Sequence, residues 1–131
     1  PGGHLRLSAE AASIFGSAVV FEQKYGNLGY WSGAADRAEW MFRLPKEGRY
    51  RVVLDWACPD DTAGNGWVIE FRGQRLSGTV SETGSWDTYR RQSVGEVNCA
   101  AGEQSLSVRS SGPIVGNLWD LRAIVLEPIR E

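Results

Sequence analysis

The chain of 131 residues has little of what most enzymes and membrane proteins need. Its one histidine, His4, lies beside a Pro-Gly-Gly opening, so a histidine-based catalytic triad is excluded. The sequence has no phosphate-binding loop, dinucleotide fingerprint or metalloprotease motif. No apolar run approaches the roughly 18 residues of a membrane-spanning helix, and no secretory signal is recognisable. We predict that residues 1–4 are a linker or an artificial remnant and that residues 5–131 form a single domain.

The chain also lacks an excess of basic charge, and it has only two cysteines. Fourteen Lys and Arg residues against sixteen Asp and Glu residues give a net charge of −2. This balance argues against nucleic-acid binding and provides no basic amphipathic helix for a membrane surface. Cys58 and Cys99 are too few for a disulfide framework and too far apart in sequence for a zinc site. The sequence leaves both one bridge and two buried thiols open.

Glycine and tryptophan are abundant instead, with 16 and six residues. Short segments of alternating apolar and polar residues recur every eight to twelve positions between turn signals. We predict an all-β protein, a jelly-roll β-sandwich of about nine antiparallel strands in two sheets, without a convincing helix. The segments 37–44 and 50–56 are joined by a short turn and are predicted to pair as a hairpin.

Three tryptophans lie on the apolar faces of predicted strands and are expected in the core: Trp40, Trp56 and Trp67. Trp31 and Trp86 instead lie in glycine-rich, loop-like surroundings. Together with Tyr30, these two are candidates for ligand contact, because an aromatic face suits stacking on a sugar ring. An amide or carboxylate would then bind the sugar hydroxyls, and Asn117 and Glu22 are candidates for that role.

Acidic residues in loops are the other possible source of chemistry. Glycan-cleaving enzymes use two carboxylates that face each other across a cleft. Four loop acids would have to supply such a pair: Asp36, Asp60, Asp61 and Asp87. Adjacent acids in a Pro/Gly-rich loop are more often solvated loop residues, so we predict that the domain is not an enzyme.

The order of several short segments resembles carbohydrate-binding module family 6 and its close relatives over nearly the whole chain. The matching segments are Ala9-Glu10, Leu28-Gly29-Tyr30, 35–40, 48–52, 83–89, 101–106 and Gly116-Asn117-Leu118. The resemblance implies a sugar site among the loops at one end of a β-sandwich. A Tyr and a Trp would enclose a sugar ring and an Asn would hydrogen-bond it. Carried over by position, these residues are Tyr30, Trp86 and Asn117, with Glu22 as a further polar contact.

The segment between Glu22 and Tyr30 is shorter than is usual in that family. Tyr25 or Trp31 could therefore take the place of Tyr30. The resemblance also implies a structural calcium ion near the first and last strands, with Glu10 and Asp120 as carboxylate ligands.

The function implied is a non-catalytic module that tethers a larger exported protein to a polysaccharide or oligosaccharide, which places it outside the cytoplasm. The segments 56–58, 63–65 and 120–124 also look like modules fused to c-type cytochrome proteins of planctomycete-like bacteria. Such domains can lack sugar affinity. The alternative is therefore a structural or protein-interaction sandwich with the same fold and no sugar site.

Overall fold

The computed structural model describes residues 4–129 and consists of two antiparallel β-sheets that pack face to face. The predicted jelly-roll β-sandwich is confirmed, with eleven strands rather than about nine. The strands are β1 (Leu5–Ser8), β2 (Ser13–Phe15), β3 (Val20–Glu22), β4 (Asn27–Gly29), β5 (Arg37–Leu44), β6 (Gly48–Ala57), β7 (Gly66–Phe71), β8 (Gln74–Thr79), β9 (Arg90–Cys99), β10 (Gly102–Ser110) and β11 (Asp120–Pro128). Two short 3-10 turns, Ala9–Ala11 and Asp60–Thr62, complete the regular structure.

The larger sheet has the order β3-β4-β11-β6-β9, and β1 also pairs with β11. The smaller sheet has the order β2-β5-β10-β7-β8. The core lies between them and is built from the alternating apolar positions, because successive side chains of a strand point to opposite faces of its sheet. Trp40, Trp56 and Trp67 are each at most 4% exposed, which confirms that they belong to the core.

The predicted hairpin between segments 37–44 and 50–56 is wrong. β5 pairs with β2 and β10 in the smaller sheet, whereas β6 pairs with β9 and β11 in the larger sheet. The turn at residues 45–47 therefore crosses from one sheet to the other. Alternation identified the buried face of each segment correctly, but the two faces meet across the core instead of lying side by side.

Two of the three-residue strands, β2 and β4, were also not predicted from the sequence. β4 lies inside segment 24–35, which reads as irregular, and β2 follows a first strand that ends two residues earlier than its alternation suggests. A strand of three residues completes barely one alternation, so periodicity cannot reveal it. Both are held by pairing, β2 with β5 and β4 with β3 and β11.

Cys58 and Cys99 are both free and buried, so the possible bridge between them is absent. Cys99 lies opposite Gly48 at the start of β6, whereas Cys58 follows Ala57 at its end. Ten residues of extended chain separate the two positions by about 30 Å, far beyond the reach of a disulfide. Burial raises the pKa of both thiols, in Cys58 to about 11, so both are held as thiols.

The register of the larger sheet fixes where loops collect. Leu28, Leu121, Trp56 and Arg90 lie in one row across β4, β11, β6 and β9. The end of β4 and the starts of β11 and β9 therefore lie at one end of the sandwich. No helix in the described part of the chain is long and apolar enough to cross a membrane. Residues 1–3 of the predicted linker lie outside the described residues, and His4 is exposed.

Candidate functional site

An open cleft of about 390 Å³ lies at this end of the sandwich. Three chain segments line it: the region from β3 to just past β4, the loop before β9, and the loop leading into β11 together with the start of that strand. The lining residues are Glu22, Tyr25, Tyr30, Trp86, Asp87, Tyr89, Asn117, Asp120 and Arg122. Four predicted ligand residues, Tyr30, Trp86, Asn117 and Glu22, thus lie around a single cleft.

Tyr30 has an unusual backbone conformation. Its φ of +56° is the only positive value at a non-glycine residue between residues 4 and 129. This left-handed conformation costs roughly 1–2 kcal/mol for a residue with a Cβ atom. The Tyr30 side chain is 65% exposed, so burial of the ring does not offset that cost. The fold therefore holds an exposed aromatic ring at the rim of the cleft at a cost in conformational energy.

Gly29 lies next to Tyr30 at a point where the backbone approaches two acidic side chains closely. A Cβ atom on Gly29 would lie 2.0 Å from Glu22 Oε1 and 3.1 Å from Asp120 Oδ1. A side chain at this position would clash with the Glu22 carboxylate and lie in tight contact with that of Asp120. Glycine thus allows β4 to approach Glu22 and Asp120 closely just before Tyr30 leaves the sheet.

Trp86 is carried by a loop that is fixed by its own hydroxyl groups. Ser85 Oγ accepts hydrogen bonds from the backbone N–H groups of Asp87 and Thr88, each at 3.1 Å. Thr83 joins this loop to the end of β6, because its Oγ1 accepts from the Cys58 N–H at 2.9 Å. The indole of Trp86 is only partly buried and makes no hydrogen bond within residues 4–129. The loop therefore presents a Trp face without embedding it.

Asn117 is held by its backbone, which leaves its side chain available. Thr62 Oγ1 accepts from the Asn117 N–H at 2.8 Å, and Asn65 Nδ2 donates to the Asn117 carbonyl at 3.3 Å. Asn65 also exchanges two hydrogen bonds with the backbone of Val115, at 2.9 and 3.0 Å. The side-chain amide of Asn117 makes no hydrogen bond among the residues that the structure describes. It is free to donate to and accept from a ligand.

The cleft is acidic. Partial burial, and then the negative charges of Glu22 and Asp87, raise the pKa of Asp120 to about 7. Glu22 Oε1 accepts a hydrogen bond of 2.9 Å from Asn27 Nδ2, which fixes that carboxylate on the wall. Burial also raises the pKa of the Tyr89 hydroxyl to about 12, so this group stays protonated. The cleft thus combines aromatic faces with oxygen acceptors.

The one cation among the lining residues is already engaged. Arg122 Nε and Nη2 each donate to Asp55 at 3.2 Å, and the Arg122 guanidinium stacks 4.0 Å from the centre of the Tyr89 ring. Asp55 is fully buried and also has Arg6 and Arg91 at 3.6 Å. Arg122 therefore serves mainly to fix Tyr89 and to neutralise Asp55.

The prediction of ligand contact for Trp31 is inconsistent with the structure. Its side chain is 0% exposed, and its indole N–H donates to the Asp36 carbonyl at 3.3 Å. Its ring meets the ring of Trp119 edge to face, with centroids 6.2 Å apart. Trp31 therefore belongs to the core. Tyr25, the other predicted substitute for Tyr30, does line the cleft and is 56% exposed.

The predicted calcium ligands Glu10 and Asp120 lie on the first 3-10 turn and at the start of β11. Glu10 is exposed on the first 3-10 turn, outside the residues that line the cleft. The carboxylates that act on Asp120 are those of Glu22 and Asp87. Residues 4–129 contain no group of three or more His, Cys, Asp or Glu side chains placed to hold a metal ion. Calcium binding by Glu10 and Asp120 stays a prediction.

Of the four loop acids, only Asp87 lines the cleft. Asp36 is fully buried, and its carboxylate accepts four backbone N–H groups, from Ser17, Ala18, Val19 and Gly33, at 2.9–3.3 Å. That arrangement fastens two loops together and leaves no carboxylate for catalysis. Asp60 and Asp61 lie on the second 3-10 turn.

Three residues that form or support the cleft, Tyr89, Thr62 and Asn65, were not predicted from the sequence. Tyr89 belongs to the segment 83–89 that carries Trp86, so its place in the cleft follows from that loop. Thr62 and Asn65 lie in a loop that reads only as a break between strands. Their partners are about 50 residues away in sequence, so no local pattern could reveal their role.

No protein-family model matches the chain. The chain is similar to β-agarase AgaA of Microbulbifer thermotolerans, with 31% identity over 112 residues. The match covers 85% of this chain and 24% of that enzyme, so the chain spans about a quarter of the length of the curated relative it matches.

Solved structures with the same fold include carbohydrate-binding modules of families 35 and 6. A family 35 module from Clostridium thermocellum superposes with a TM-score of 0.79 at 19% identity, covering 96% of this chain and 98% of that one. A module from Cellvibrio mixtus lichenase 5A, in complex with cellotriose, gives a TM-score of 0.72 at 19% identity, with 96% and 98% covered. At this level of identity the likeness concerns the fold.

Proposed function

We propose that this domain is a non-catalytic carbohydrate-binding module that binds polysaccharide in the cleft at the end of the sandwich. The observation that carries the proposal is Tyr30, which is held exposed in a strained conformation at a cleft that it shares with Trp86 and Asn117. An aromatic face supplies apolar area for the C–H face of a sugar ring. The free amide of Asn117 supplies both a donor and an acceptor for its hydroxyl groups.

The similarity to a β-agarase makes agarose the first ligand to test. The cellotriose complex of a module with the same fold makes a β-glucan the natural comparison. Binding is expected to be weak, because the cleft is open to solvent. At the efficiency typical of larger ligands, about 0.3 kcal/mol per atom, a disaccharide of about 23 heavy atoms would bind no tighter than roughly 10 µM.

The proposal extends to the protein that carries the domain. A module of this kind holds a partner domain near its polysaccharide, and we propose that the parent protein acts outside the cytoplasm. The agarase likeness supports this context, since that enzyme is about four times as long as the matched segment. Fusion to a cytochrome-like protein of a planctomycete is a narrower prediction, supported only by the sequence resemblance.

Affinity electrophoresis tests sugar binding directly. The wild type and the Trp86→Ala variant would be run through native gels that contain agarose, lichenan, laminarin or mannan. We expect at least one polymer to retard the wild type and Trp86→Ala to abolish that retardation. Phe15→Ala is the matched control, because Phe15 is an exposed aromatic residue on the smaller sheet that does not line the cleft.

Thermal melts accompany both variants, because a cooperative unfolding transition shows that the fold is retained. Retardation of Trp86→Ala equal to that of the wild type would refute the assignment of Trp86. Absence of binding to every polymer by a well-folded wild type would favour the alternative, a protein-interaction sandwich. That alternative predicts capture of a protein partner through the exposed rings of Tyr25 and Tyr30.

Calcium is tested separately, because the proposed sugar site does not depend on it. The prediction rests on the family resemblance, which gives Glu10 and Asp120 as ligands. Melting the wild type in EDTA and in excess CaCl₂ would show an increase in Tm if a site exists, since binding to the folded state stabilises it. Equal Tm values would remove calcium from the description.

A further inference from the structure

The charges around the cleft suggest which polysaccharides it accepts. We propose that Glu22, Asp87 and Asp120 make the cleft selective for uncharged polysaccharides, an inference that rests on the proposed sugar-binding function. Chains that carry sulfate esters or uronic acids would be rejected by electrostatic repulsion. Glu22 and Asp120 lie close together. The position that a Cβ atom on Gly29 would occupy is 2.0 Å from Glu22 Oε1 and 3.1 Å from Asp120 Oδ1. Asp87 adds a third carboxylate from the loop that carries Trp86.

One cation among the described lining residues faces these three carboxylates. This cation is Arg122, and its Nε and Nη2 each donate to the buried Asp55. Its flat face lies against the ring of Tyr89. An anionic sugar substituent would therefore meet three carboxylates and one guanidinium, which is already paired with a buried carboxylate.

A neutral sugar can form hydrogen bonds with the same carboxylates. Ionised carboxylates only accept hydrogen bonds, and sugar hydroxyls can donate to them. A sulfate or uronate group offers no such donor and adds like-charge repulsion at a few ångströms. At low salt this repulsion is expected to weaken binding by about tenfold for each opposing charge.

The experiment compares two forms of one polymer. Insoluble agarose and partially sulfated agarose would be incubated with the protein, and the unbound fraction measured. If another polymer of the electrophoresis panel binds better, that polymer and its sulfated form replace them. The readout is the ratio of the association constant for the sulfated form to that for the neutral form. Using this ratio separates selectivity from changes in overall affinity.

We expect a ratio of about 0.1 or lower for the wild type at about 20 mM salt, rising severalfold at about 500 mM salt. Asp87→Asn should raise the low-salt ratio severalfold. Asp61→Asn is the matched control, because it removes the same charge from an exposed loop outside the cleft and should leave the ratio unchanged.

Each other result has a defined meaning. A wild-type ratio near one would overturn the selectivity while leaving sugar binding intact. A low ratio that neither salt nor Asp87→Asn changes would show that sulfate groups are rejected by their size, which also overturns it. Failure of the wild type to bind any neutral polymer would refute the proposed function, and the selectivity with it.

Discussion

The raised pKa of Asp120 predicts a measurable dependence of folding stability on pH. This pKa is about 7 in the folded protein, against an ordinary value of 3.8, because the carboxyl group is partly buried and lies near Glu22 and Asp87. A carboxyl group whose pKa is raised in the folded state destabilises that state at every pH at which the group is ionised. The stability associated with the protonated form is fully present below about pH 3.8. It is lost progressively as the pH rises, until the loss is complete above about pH 7.

The size of the effect follows from the shift. About three pKa units correspond to roughly 4 kcal/mol at full strength. Because the cleft is open to water and its charges are screened, we expect about 1–2 kcal/mol. Most of this change falls between about pH 4.5 and pH 7.5, where it amounts to about 1 kcal/mol. For a domain of this size, that corresponds to a change in Tm of about 3–4 °C.

The assay is the difference in Tm between Asp120→Asn and the wild type across this pH range. Asparagine keeps the shape of the side chain and cannot ionise, so the difference should grow by about 3–4 °C in favour of the variant as the pH rises. Asp61→Asn, an exposed acid on the second 3-10 turn, controls for the loss of one charge. A difference that stays constant with pH would refute the raised pKa and the acidic character of the cleft.

Three further variants test how the structure holds the cleft. Tyr30→Gly is expected to melt about 3–4 °C above Tyr30→Ala, because glycine alone relieves the left-handed backbone, while both lose polysaccharide retardation. Thr62→Val should weaken binding severalfold more than Phe15→Ala does, because it removes the hydroxyl that accepts from the Asn117 N–H. Asp36→Ala should cost about 3 kcal/mol, or roughly 10 °C in Tm, because four backbone N–H groups lose one carboxylate; an unchanged melt would contradict its clamping role.

How far the fold could be predicted depended on strand length. β6, β7 and β10 each span six or more residues, and their alternation predicted both the strand and its buried face. The alternation did not predict which neighbour each strand pairs with. The turn after β5 has the composition of a hairpin turn, yet it crosses between sheets, because pairing is decided by the distant strands β10 and β11. Local turn chemistry carries no information about those partners.

The tryptophans show the same limit at the level of single residues. Trp31 and Trp86 both lie in glycine-rich surroundings, and the sequence treats them alike. In the structure, Trp31 follows the sharp turn at Gly29 and Tyr30 and enters the core, where Trp119 and the Asp36 carbonyl receive it. Trp86 stays outside because a hydroxyl-fixed turn carries it away from the sheet. Only tertiary contacts separate the two.

Tyr30, Trp86 and Asn117 come from distant parts of the sequence, and the register of the larger sheet explains why they share one cleft. β4 ends, and β11 and β9 begin, at the same end of the sandwich, so the residues just outside these strands must gather there. Register alone would leave the three loops free to vary in conformation. Gly29 with the strained Tyr30, Ser85, and the pair Thr62 and Asn65 each remove that freedom from one loop. Because preorganisation lowers the entropy lost on binding, these fixed loops support a ligand site more strongly than the aromatic content of the sequence does.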